Sequence, residues 1–232
     1  MPNKREKKQF PIKDIDTCKI YLRKIITVAE SCRYSMECYL KEGDISLAQM
    51  KEKKTTVVPY LAYSDLLRKL FGVESYVLNV FGDLQVSSVS YMKFRKQVEK
   101  LESNGIHIGL PELSEDASEA LKGFNKARNF ENHIPESVLV AEQEMIAEGI
   151  AIPETEDPLE VYLPAAVTLD YFEDLVTEYR KLYDGVKLLI DSAMKDYNAL
   201  YGKNIELKIV FTDSIVGTSR LEVGKRAAKA QG

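Results

Sequence analysis

Two long stripes of apolar positions organise this chain. Near its start, Ile15, Cys18, Leu22, Ile25, Ala29, Cys32, Met36 and Tyr39 follow one another at alternating steps of three and four residues. That spacing keeps one face of a helix apolar. It predicts a long helix over residues 14–41, with Gly43 as its stop. Towards the end, Leu169, Phe172, Val176, Tyr179, Tyr183, Val186, Ile190, Ala193, Tyr197 and Leu200 repeat the pattern. Thr168 can cap that second helix and Gly202 can end it.

Shorter periodic stretches lie between the stripes. Thr55, Thr56, Val57 and Val58 are β-branched, and Pro59 allows a fresh helix start. Leu61, Leu66, Leu67, Leu70 and Phe71 predict a helix to about Gly72, with a further short helix over 74–81. Tyr91, Phe94, Val98 and Leu101 place a helix over 88–104, ended by Gly105. A connection over 106–113 contains Gly109 and Pro111, and its His107 is incidental. The next helix starts near Ser114, whose hydroxyl can cap it, and buries Ala117, Ala120, Leu121, Phe124 and Ala127. Pro135 disfavours helical geometry at Ile134, so a break follows His133 and a new helix runs from about Pro135 to Glu148. Residues 149–167 read as a loop with a short strand at 159–163, and Ile205, Leu207, Ile209 and Phe211 alternate as one strand would.

These elements predict an all-α protein: an antiparallel helical bundle over residues 12–203 with two long heptad-patterned helices. A flexible basic lead-in, 1–11, precedes it, and a strand-like extension and tail, 204–232, follows. A coiled-coil dimer is the competing use of the two seams.

Charge changes this picture through its distribution. Net charge is −4, yet residues 129–179 hold 13 Asp or Glu and no Lys or Arg, so all 32 basic residues lie elsewhere. That acidic stretch is either a solvated face or a docking surface for a basic partner. Lys93, Lys96 and Lys100 form a basic stripe on one helix, while Lys122 and Lys126 precede Arg128 on another. Each set is either a solvated face or an RNA contact. The three cysteines, Cys18, Cys32 and Cys38, lack metal-site spacing and predict reduced, buried thiols. The lead-in has no apolar signal core and no run of ~20 apolar residues occurs, so a cytoplasmic location with no membrane partner is expected.

Candidate chemistry is concentrated in Arg128-Asn129-Phe130-Glu131-Asn132-His133. On an ideal helix Arg128 and His133 lie about 140° apart, whereas Asn129 and His133 share a face. Asn129 can therefore orient the imidazole. Metal-free RNA cleavage needs a base for the 2′-OH, a cation for the phosphorane and an acid for the leaving 5′-oxygen. Arg128 suits the phosphate and His133 suits proton transfer, but one copy supplies one His. His133 and Glu136 alone make a poor metal site, and no glycine-rich phosphate loop is present.

The Arg-Asn-x-x-x-His arrangement resembles the signature of the HEPN superfamily, and the longer run 125–137 looks like its bacterial members. The resemblance implies a small helical protein acting as a metal-independent endoribonuclease without a cofactor. Two copies of Arg128, Asn129 and His133 would meet across a homodimer, and the product would end in a 2′,3′-cyclic phosphate. It also implies a toxin, abortive-infection or antiviral-defence role, with RNA as substrate and an antitoxin or regulatory protein as a further partner. Two other readings stay open. Arg128 can pair with Glu131, with Asn132 or His133 as a helix cap. The chain can instead be a non-catalytic binding or regulatory module that uses 129–179 to hold a protein partner.

Overall fold

A computed structural model describes residues 10–131, 136–149 and 163–210. Its elements are α1 (Ile15–Glu52), β1 (Val57–Pro59), α2 (Tyr60–Gly82), α3 (Tyr91–Ser103), α4 (Glu115–Glu131), α5 (Glu136–Ala147), β2 (Ala166–Thr168) and α6 (Leu169–Tyr201). The described residues are thus mainly helical, as the apolar spacing predicts. Most of the lead-in, the segment 150–162 and the tail from 211 onward lie outside them.

The two heptad stripes pack on each other within one chain. α1 and α6 run antiparallel, with Lys19 over the Tyr201 ring at one end and Lys51 paired to Glu173 at 2.7 Å at the other. Cys18, Leu22, Ile25, Ala29 and Met36 of α1 are buried, as are Phe172, Val176, Val186, Ile190 and Ala193 of α6. Burying these faces supplies the main drive to fold. Asp14 and Thr17 form a capping box at the start of α1. Thr168 caps α6, and Gly202, at φ +63°, ends it.

Gly43 does not stop α1, which continues to Glu52. The residue is buried, and a Cβ there would stand 3.0 Å from Val176 Cγ2 and 3.1 Å from Leu66 Cδ2. It is a close-approach position where α1 crosses α6 and α2, flanked by the ion pairs Lys69–Glu42 and Arg180–Asp44. α2 likewise runs unbroken through Gly72. That glycine faces open space, and its helix penalty of about 1 kcal/mol is outweighed by burial of Leu66, Leu70, Val77, Leu78 and Phe81.

β1 and β2 form a short antiparallel ladder, with Val57 opposite Thr168 and Pro59 opposite Ala166. The strand expected at 159–163 falls almost wholly outside the described residues, and the described strand lies later, at Ala166–Thr168. Residues 205–210 form no strand. They lie beside α1 and α6, tethered where the Ile205 N–H donates to Asn198 Oδ1 at 2.9 Å. Ile205, Leu207 and Ile209 line clefts with residues of α1 and α6. Cys18 is buried, but Cys32 is half-buried and Cys38 exposed, so only one of the three thiols is sealed in the core.

Candidate functional site

α4 is positioned by its own cap and by a close helix crossing. Ser114 Oγ accepts from the Ala117 N–H at 3.3 Å, and Glu115 and Asp116 favour the positive end of the helix. Ala117, Leu121 and Phe124 are buried, and Phe124 meets the Phe81 ring edge-on at 5.5 Å. At Gly82 the backbones of α2 and α4 come together: a Cβ there would lie 2.7 Å from backbone atoms of Phe124 and Asn125. Asn125 Nδ2 donates to the Gly82 carbonyl at 2.5 Å.

This crossing sets the last turn of α4 beside the end of α2. Arg128 is buried there, 9% exposed. Its Nε donates to Asn79 Oδ1 at 3.3 Å, its Nη1 to Asn129 Oδ1 at 3.2 Å, and its Nη2 pairs with Asp83 Oδ1 at 3.3 Å. Asp83 is also buried and caps α2. A carboxylate at the negative end of a helix is disfavoured, and the Arg128 guanidinium offsets that cost. The backbone N–H of Gln85 also donates to Asp83 Oδ1, at 2.9 Å.

The predicted site residues thus fall in different places. Arg128 and Asn129 meet, but Asn129 is exposed and turns its amide oxygen to the arginine. His133 lies outside the described residues, as do the side chains of Glu131 and Glu136. Lys93 is not a free surface cation. Its Nζ donates to the carbonyls of Gln85, Val86 and Ser88 at 3.1, 2.6 and 2.9 Å, closing the loop 83–90, and burial pushes its pKa down. Lys96, Lys100, Lys122 and Lys126 are exposed. The first two stand on α3 and the others on α4, and both helices pack onto α2 around Phe81.

Asp83 and Asn79 are the partners that motif reasoning missed. Asn79 is 49 positions from Arg128, and the one local signal is an acid placed just past a helix end. Among the described residues, no group of three or more His, Cys, Asp or Glu could hold a metal ion, and no helix is long and apolar enough to cross a membrane.

The chain matches no protein-family model, no curated protein and no solved structure.

Proposed function

We propose that this chain is a metal-independent endoribonuclease of HEPN type, acting as a homodimer in a toxin or antiviral-defence role. The observation that carries the reading is the Arg128-Asn129-x-x-x-His133 motif, whose arginine is held rigidly by Asp83, Asn79 and Asn129 at the end of α4. Fixed cations stabilise developing charge better than mobile ones, because no reorganisation is needed at the moment of reaction. In this scheme His133 accepts the ribose 2′-OH proton and the 2′-oxygen attacks phosphorus. Arg128 stabilises the phosphorane, and the second copy's His protonates the departing 5′-oxygen. The products are a 2′,3′-cyclic phosphate and a free 5′-hydroxyl.

The buried Asp83–Arg128 pair also favours a second reading. Its carboxylate neutralises the guanidinium, which suits a clamp between α2 and α4 in a non-catalytic module. In that case the acidic 129–179 region would hold a basic protein partner.

One assay separates the two. Purified protein is incubated with tRNA and total RNA in EDTA, and fragment ends are analysed. The ribonuclease reading expects cyclic-phosphate ends from wild type and a loss of about 100-fold or more in His133→Ala. Equal behaviour of the two proteins sinks it. Arg128→Ala is the poorer probe, since it strands a buried carboxylate and can unfold the site.

A further inference from the structure

Lys93 occupies a place that costs free energy. It lies in the first turn of α3, where its own N–H donates to the cap Ser90, and there the helix dipole disfavours a cation. Burial also works against its charge and pushes its pKa down. The loop that joins α2 to α3 offsets both. Its Gln85, Val86 and Ser88 carbonyls converge on Lys93 Nζ at 3.1, 2.6 and 2.9 Å, one acceptor for each ammonium proton.

One residue of the loop links this ammonium to the candidate site. Gln85 presents its carbonyl to Lys93 and its N–H to Asp83 Oδ1, the latter at 2.9 Å. That same oxygen meets Arg128 Nη2 at 3.3 Å. Asp83 also attracts the Lys93 ammonium, so its carboxylate stands in the field of two cations. The Asp83 carbonyl accepts from Ser88 Oγ at 3.3 Å and from Ser90 Oγ, which draws the two ends of the loop together. Tyr21 of α1 ties the far end down. Its hydroxyl donates to the Ser88 carbonyl and accepts from the Ser90 N–H, each at 3.3 Å.

We propose that Lys93 is a positioning residue for Arg128. Its ammonium closes the loop 83–90, the closed loop aims Asp83 Oδ1, and Asp83 sets the guanidinium. Lys93 acts through Asp83 and serves as an internal brace, whereas Lys96 and Lys100 of the same sequence stripe stay exposed. The consequence for cleavage rests on the ribonuclease reading, but the placement of Arg128 can be measured without any cleavage.

Hydrogen exchange of the Arg128 Nε–H, followed by NMR in the full chain, reads that placement. Lys93→Met keeps the apolar stem and removes the three donors. It is expected to speed this exchange by about tenfold or more, while the backbone amides of Leu22 and Ile25 in the core of α1 exchange as before. An unchanged Arg128 rate overturns the proposal. Equal acceleration of the core amides overturns it too, because Lys93 then braces the whole fold. Lys93→Ala leaves room for n-propylammonium, the part of the side chain removed. Adding propylammonium is expected to restore slow exchange, and adding 1-propanol is not; restoration by both or by neither counts against the carbonyl cage. In an Asp83→Asn background Lys93→Met is expected to add nothing, and a further acceleration there shows a route that bypasses Asp83. On the ribonuclease reading Lys93→Met also lowers kcat with KM little changed. A wild type that cuts no RNA ends that reading and leaves the exchange result to decide the role of Lys93.

Discussion

Arg128 carries its charge into the protein, and its neighbours decide what losing it would cost. Both Arg128 and Asp83 are buried, so removing either one strands the other. Arg128→Ala or Asp83→Ala is expected to lower stability by about 3–5 kcal/mol, while the double replacement costs clearly less than the sum. Urea unfolding of the three variants measures this, and additive losses would show that the pair is not coupled. Asp196 makes a second case. It is fully buried, accepts from Tyr91 Oη at 2.8 Å and pairs with Arg95 at 2.9 Å, yet burial pushes its pKa up to about 6. The folded state therefore binds the proton more tightly than the unfolded chain, whose carboxyl titrates near 3.8. This group's contribution is complete below about pH 3.8 and is lost as pH rises through about 6, a change of up to about 3 kcal/mol. Asp196→Asn is expected to flatten the dependence of melting temperature on pH between about 4 and 7; an unchanged slope would place the titration elsewhere. At this scale the sequence exposed Arg128 and Asn129, through their spacing to His133. It hid Asp83, Asn79 and Asp196, because their roles exist only once distant helices meet.

Three glycines look alike in the sequence and behave differently in the helices. Gly43 and Gly82 sit where helices nearly touch, whereas Gly72 faces solvent. Reading Gly43 and Gly72 as helix ends fails for that reason: whether a glycine stops a helix or lets another pass depends on neighbours from elsewhere in the chain. Gly72→Ala is expected to raise stability by about 0.4–1 kcal/mol. Gly82→Ala forces α2 and α4 apart and is expected to cost about 3 kcal/mol. Thermal melts of both variants check the contrast, and a neutral Gly82→Ala would mean the crossing is looser than 2.7 Å implies. The boundaries of α6 at Thr168 and Gly202 are more legible, because each is decided by a cap within one turn. Lys93 shows the opposite limit. A lysine stripe can be seen in a sequence, but the loop carbonyls that capture one member cannot.

At the scale of the molecule, the seams of α1 and α6 are spent on each other, so a coiled-coil dimer is not their use. The proposed composite site then needs a different contact surface. Phe130, next to Asn129, is 60% exposed, and the described side chains Val140 and Met145 of α5 are exposed as well. If two motifs face each other, Phe130→Asp shifts sedimentation towards the monomer. Leu61→Asp, at the opposite end of α2, leaves it unchanged. A wild-type protein that stays monomeric at about ten micromolar, well above the Kd of a stable dimer, would remove the composite site. The all-α class could be read from periodicity, which left open whether the two seams meet within one chain or across a dimer. Where α4 would sit could not, since the Gly82 crossing depends on backbone shape.

The β1–β2 ladder has a temporal meaning as well. It joins Val57 to Thr168, and α1 completes its core only against α6, the last helix among the described residues. A ribosome releases the chain from its N-terminus, so the apolar face of α1 waits exposed while everything between the two strands is synthesised. Bundle closure is then a late, non-local event that waits until Leu200 has been made.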